Sequence, residues 1–175
     1  MDIKQFFTHH HNLGIIIICL LITVILINYE EHKLLTFDSH PEYTYKNKVS
    51  QSELDVKASK YASHADIILH HSSIILSLVT FCFILNYITT SPKLQKLRKF
   101  SNALVNIIFI FLPVYMLGLS FYMCYAIVTD YQQASQNDPS VITNHLVVIT
   151  IVTILMFIST YEMFEYDYIH YIKHI

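Results

Sequence analysis

Charge is what this sequence has least of. Only 14% of its 175 residues are Asp, Glu, Lys or Arg, where a globular domain carries about 25%. Four runs, 5–29, 67–92, 100–129 and 139–161, contain none at all. Runs of that length exclude an ordinary soluble enzyme, because about 20 apolar residues suffice to cross a bilayer as a helix. They also exclude a transmembrane barrel, whose strands are about 10 residues long and alternate in polarity. The net charge is −2 and no long basic tract exists, so nothing offers nucleic acid an electrostatic footprint. Cysteine is scarce too. Cys19, Cys82 and Cys124 each lie inside an apolar run, which leaves neither a disulfide framework nor a C-x-x-C pair. They read as small buried hydrophobes.

What is present is apolar: 54% of the chain is hydrophobic and the mean hydropathy is +0.44. The pattern predicts an all-α polytopic integral membrane protein with four transmembrane helices, forming a single membrane domain. The spans fall at about 12–29, 66–88, 103–128 and 141–161, with a polar loop 30–65, a basic link 89–102 and a C-terminal tail 162–175. The first span runs into INYEEHK with no small-residue cleavage site, so a retained helix is expected rather than a removed signal peptide. Within the polar loop, Leu54, Val56, Ala58, Tyr61 and Ala62 suit a short helix lying on the membrane surface. Pro113 sits in the middle of the third span, where it removes one backbone bond and favours a kink. The tyrosines of the tail suit the headgroup layer.

Four spans put both termini and the basic link on one side of the bilayer. The positive-inside rule then assigns residues 93–99 to the cytoplasm or matrix. The same threading brings the start of the second span, the end of the third and the start of the fourth to the opposite face. His64, Asp66, His70, His71, Asp130, Tyr131 and His145 collect there. Ionisable groups at membrane depth are costly and mark a functional hypothesis. Asp66 and His70 share a helical stripe, while His71 points about 100° away. Asp130 closes its helix, where the dipole disfavours an anion; a nearby His or a proton could offset that.

Three readings of this rim stay open. It is interfacial decoration that sets helix depth; or a site for a polar headgroup such as a quinone, with His and Tyr donating to carbonyl oxygens; or a metal site of His70, Asp66 and His145, since imidazole suits copper, zinc and iron. On the other side, His9-His10-His11 reads as an ordinary polar flank. Asn86, Asn106, Ser120, Thr150 and Thr153 give the spans polar edges able to hydrogen-bond to neighbouring helices.

The segment Ile67-Ile68-Leu69-His70-His71-Ser72-Ser73 resembles the first-helix motif of the larger membrane-anchor subunit of succinate dehydrogenase, the cytochrome b subunit of respiratory complex II. Ser39-His40-Pro41-Glu42-Tyr43-Thr44-Tyr45 is similar to that family's lead-in segment. Ala126-Ile127-Val128-Thr129-Asp130 is similar to the close of its second helix. The resemblance covers roughly residues 39–161. It implies a mitochondrial, or alternatively bacterial, inner-membrane subunit of the respiratory chain. Such a subunit anchors flavoprotein and iron–sulfur partners within lipid and helps to bind ubiquinone through His70, His71, Asp130 and Tyr131. The family's quinone-binding Ser and Arg fall at Ile67 and His71, and its haem-ligating His has no counterpart near Leu117, Gly118 or Phe121, which leaves haem b without its usual ligand. The span at 12–29 is an addition to the family's three helices. The alternative expectation is an accessory or scaffold subunit of a mitochondrial respiratory complex or ATP synthase with no cofactor of its own. A transporter ranks last, since few charges are available to line an ion path.

Overall fold

The structure is a computed structural model that describes residues 11–37, 50–89 and 95–167. Four helices make up almost all of it: α1 (His11–Leu35), α2 (Gln51–Thr89), α3 (Gln95–Gln133) and α4 (Ser140–Asp167). Each is long and apolar enough to span a membrane. No more than 39% of any span is buried within the bundle. The remainder, with residues such as Ile18, Ile25, Ile110, Phe111, Val114 and Ile154 exposed, is apolar surface that only lipid solvates without cost.

One period organises the bundle. The buried positions are Leu13, Ile16, Leu20, Thr23, Ile27, Glu30 and Leu34 in α1, and Leu54, Ala58, Tyr61, Ala65, Ile68, Ser72, Ile75, Val79 and Cys82 in α2. They continue as Ser101, Val105, Phe109, Leu112, Met116, Leu119, Met123, Ala126 and Asp130 in α3, and as Ile142, His145, Ile149, Val152, Met156, Ser159, Met163 and Tyr166 in α4. Steps of three and four alternate, except for two successive fours from Ser101 to Phe109. That heptad spacing keeps one seam of each helix facing its neighbours in a left-handed bundle. α1 packs against α2 and α4, and α3 packs against the same two, so α1 and α3 occupy opposite corners.

Named contacts fix the direction of each helix. Asn12 Nδ2 donates to Glu162 Oε2 at 2.7 Å, joining the start of α1 to the end of α4. Phe109 meets Tyr166 edge to face at 5.4 Å, near the same end of the bundle. At the other end Lys57 Nζ lies 3.1 Å from Asp138 Oδ1, joining the start of α2 to the turn between α3 and α4. The order is up-down-up-down.

The helices exceed the apolar spans. Residues 51–63 are not a separate surface helix but the opening turns of α2. Ser50 caps it, its Oγ accepting from Glu53 N at 3.3 Å. Leu54, Ala58 and Tyr61 lie on the seam that Ala65 and Ile68 extend, and no Gly or Pro intervenes, so the helix has no cause to break. The loop expected at 30–65 is correspondingly shorter, because Glu30 and Leu34 belong to α1. α3 likewise begins inside the expected link and α4 runs into the expected tail. α3 passes through Pro113 without ending. His9 and His10, the segment 39–45, residues 93–94 of the basic link and the tail after 167 lie outside the described residues.

Three of the polar edges, Ser120, Thr150 and Thr153, close on their own helices. Ser120 donates to Met116 O at 2.9 Å, and Thr150 and Thr153 donate to Leu146 O and Ile149 O at 2.6 Å. A hydroxyl that bonds back four residues satisfies itself within its own helix. The turn after α3 has a firmer anchor: Asp138, its side chain wholly buried, also accepts from Ser135 N at 2.9 Å. Asp138→Ala is expected to cost about 1–3 kcal/mol. Faster amide exchange across 135–142, with the distant ends of the helices still protected, would register it.

Candidate functional site

At the end where α2 and α4 begin, the seams of α1, α3 and α4 turn polar at one level, and a half-buried side chain of α2 joins them. Glu30 of α1, His64 of α2, Asp130 of α3 and His145 of α4 form this layer. Glu30 is 1% exposed and Asp130 and His145 are fully buried. On one side lies the main apolar core, including Ile27, Ala65, Ile68, Ala126 and Ile149. On the other lies a smaller apolar cap of Leu34, Leu54, Ala58, Tyr61, Ala62 and Ile142, with Phe37 packed on it. Glu30, Asp130 and His145 are thereby shielded from bulk water, while His64 stays partly exposed, and buried polar groups of this kind need partners.

Asp130 is the hub. His64 Nδ1 lies 2.9 Å from Oδ1 and is hydrogen-bonded to Oδ2 at 3.1 Å. His145 Nε2 lies 3.1 Å from the same Oδ2. Both imidazoles therefore place an N–H on one carboxylate. The backbone carbonyl of Asp130 accepts from Tyr61 Oη at 3.1 Å, and the Tyr61 ring stacks on His145 at 5.0 Å with 8° between planes. These contacts supply what the helix end withholds from an anion. Within this layer three buried atoms make no hydrogen bond: Asp130 Oδ1, His145 Nδ1 and Glu30 Oε1.

A second feature opens beside the layer, between α2 and α3. Ile67, His71, Val114, Tyr115, Gly118, Leu119 and Tyr122 line a groove of about 530 Å³. Its polar wall is one pair, His71 Nδ1 hydrogen-bonded to Tyr115 Oη. A second groove of about 410 Å³, lined by Leu78, Ile107, Ile108, Phe111, Leu112 and Tyr115, adjoins it at Tyr115 and is apolar. Tyr122 links the groove to the layer, because its ring meets His64 edge-on at 6.2 Å.

The rim anticipated from sequence therefore divides. His64, Asp130 and His145 come together inside the bundle. His71 lines the groove instead, about two turns beyond His64 along α2. His70 is exposed, touching His71 ring to ring at 5.7 Å, and Asp66 is exposed as well. Tyr131 is 72% exposed and lines neither feature. The candidate metal set of His70, Asp66 and His145 is not assembled, since His145 faces the core and the other two do not. Among the described residues no group of three or more His, Cys, Asp or Glu side chains is placed to hold a metal ion. Glu30, Tyr61, Tyr115 and Tyr122 were missing from the anticipated set. Glu30 had a signal, since it continues the three-and-four spacing of α1; the tyrosines had none that a linear pattern carries.

No family model, curated protein or solved structure matches this chain.

Proposed function

We propose that this four-helix membrane protein is the anchor subunit of a respiratory complex and holds a ubiquinone headgroup in the α2–α3 groove. The observation that carries the reading is the pairing of one polar wall, His71 with Tyr115, to an adjoining apolar groove. A quinone has the matching form: a flat ring with two carbonyl oxygens, on an isoprenoid tail. His71 and Tyr115, hydrogen-bonded to each other, keep one N–H or O–H to donate to a carbonyl oxygen, Tyr122 lies against the ring, and the tail follows Leu78, Ile108 and Phe111. Hydrophobic lining with a few placed donors is the usual make-up of a small-molecule site. Behind Tyr122, His64 and Asp130 provide groups that exchange protons with the ring's surroundings. In this reading His71 keeps the role that the resemblance to succinate dehydrogenase anchors gave it. Asp130 acts through His64, and His70 and Tyr131 lie at the periphery. The membrane is the mitochondrial inner membrane, and the partners are flavoprotein and iron–sulfur subunits.

Photolabelling in native membranes with an azido-quinone tests the site. Label is expected on residues 67–71 and 114–122, and label confined to other segments would refute the assignment. The double variant His71→Ala, Tyr115→Phe removes the polar wall. It is expected to weaken binding by about 1–3 kcal/mol, roughly ten- to a hundredfold in affinity. Co-purification in mild detergent with a flavoprotein and an iron–sulfur protein tests the complex. A chain that co-purifies with a respiratory assembly but takes no label is the cofactor-free scaffold subunit.

A further inference from the structure

The four spans read from the sequence hold four charged or imidazole side chains: Asp66, His70, His71 and His145. The bundle accounts for two of them. His145 is buried against Asp130, and His71 is bonded to Tyr115 in the groove. Asp66 and His70 face outward. Among the described residues neither has an ion-pair partner, and His70 meets the His71 ring edge-on at 5.7 Å. An ionisable group that faces lipid at membrane depth is costly; such groups face protein or water instead. The two belong to a second seam. Ser63, Asp66, His70, Ser73, Ser77 and Thr80 follow one another in steps of three and four, the heptad spacing of the buried seam of α2. Each lies two residues before a position that faces the core, about 200° round the helix. Ser73 and Thr80 are half-buried and the other four exposed. The outward positions of the other helices are apolar, as at Ile18 and Ile25 in α1, Ile110 and Phe121 in α3, and Val147 and Ile154 in α4. A heptad seam on each of two opposite faces suits a helix that packs on both. Small side chains let a neighbouring backbone approach, and polar ones hydrogen-bond across the contact. Ser77 Oγ donates back to Ser73 O at 2.8 Å, so the unmet polar demand of the seam falls on Asp66 and His70.

We infer that the outward seam of α2 binds the same seam of a second copy of this chain, forming a two-fold dimer within the membrane. The charges select the occupant. Two copies inserted in the same direction bring their α2 helices together in parallel, and a two-fold axis sets each residue near its own counterpart. Asp66 and His70 are one turn, about 6 Å, apart along the axis, so each carboxylate lies within reach of the other copy's imidazole. Acid and base sit on one stripe, and both reciprocal pairs form at once. A neutral imidazole keeps one N–H to donate, so the contact does not depend on the charge of His70. The seam is distinct from the groove, which opens on the α3 side of α2 at Ile67 and His71. The dimer stands whether or not a quinone binds there.

Cysteine crosslinking of the full chain in lipid vesicles tests the dimer. With Cys19, Cys82 and Cys124 replaced by alanine, a single new cysteine crosslinks to itself only where two copies meet. Ser63→Cys and Ser77→Cys are expected to give a disulfide-linked dimer on mild oxidation, while Ile25→Cys on α1 and Val147→Cys on α4 stay monomeric. Energy transfer between copies fused to two fluorescent proteins, followed as added lipid dilutes them, measures the affinity with every native side chain in place. The double variant Asp66→Ala, His70→Ala is expected to weaken the dimer roughly tenfold or more. Both side chains are exposed, so the variant leaves the interior of the bundle untouched. Absence of energy transfer at every protein-to-lipid ratio would overturn the inference. So would crosslinking through Ile25→Cys or Val147→Cys in place of the seam, or a dimer equally tight in the double variant. Crosslinking of the seam to a different protein in native membranes, with the purified chain monomeric, would overturn it as well and assign the seam to a helix of that protein.

Discussion

Asp130→Ala is expected to lower the stability of the bundle by about 3–5 kcal/mol, the cost of breaking a buried polar cluster by removing one partner. The reason is local. Asp130 Oδ2 receives both His64 and His145 at 3.1 Å, so one truncation strands two imidazoles between the main core and the cap. Asp130→Asn keeps an amide oxygen that can accept one N–H, and its loss should be smaller. Denaturation in mixed micelles, followed by helix content, ranks the variants. Changing Glu30, His64, Asp130 and His145 together to leucine is a different experiment. It removes every polar group rather than one partner, and is expected to keep or raise stability, as well-packed apolar replacements of buried ionic groups often do. If Asp130→Ala were as stable as the unmodified chain, the carboxylate would not be the hub. If the fourfold leucine variant lost the four-helix arrangement, the layer would be what fixes the register of the seams.

That contrast bears on how much of this molecule its sequence discloses. The class and the number of spans follow from charge alone, because a charged side chain at mid-membrane is costly. Which face of each helix turns inward does not follow. In a soluble bundle the solvent side would be polar, and the stripe of Leu13, Ile16, Leu20 and Ile27 would stand out. Here Ile15, Ile18, Leu21 and Ile25 face outward and are as apolar as the residues that face in, because lipid is the solvent. The polar members of the seam reveal the period. Thr23 and Glu30 in α1, Ser72 in α2, Asp130 in α3 and His145 in α4 all occupy buried heptad positions.

Threading the spans through one bilayer was enough to bring His64, Asp130 and His145 to one end, since that needs only their depth. Separating them from His70 and Tyr131 needs the angle about each helix axis, which residue depth does not contain. The groove is less legible still. His71 and Tyr115 are 44 residues apart and meet only because α2 and α3 run antiparallel in one register. The surface helix assigned to 51–63 is a related error. Polarity on the outward side of those turns resembles a boundary with water, while the buried side continues α2 unbroken.

Gly118→Phe separates binding from folding and is expected to reduce azido-quinone labelling to background. Gly118 lines the groove, and a Cβ placed on it would meet nothing within 4 Å. The Cβ itself has room, and a phenyl group beyond it competes for the space assigned to the quinone ring. The same change removes a glycine from a helix interior, worth up to about 1 kcal/mol in helix propensity, so stability should hold or rise. Gly118→Ala is the matched control: it gains the propensity, leaves most of the groove open and should retain label. Loss of label in both variants would indicate that the backbone at Gly118, rather than the groove's volume, matters. Full labelling of the phenylalanine variant would move the ligand out of this groove. Loss of label with respiratory turnover of the assembled complex unchanged would leave the groove as a binding site that the reaction does not use, and the chain's contribution to that complex would then be the scaffold.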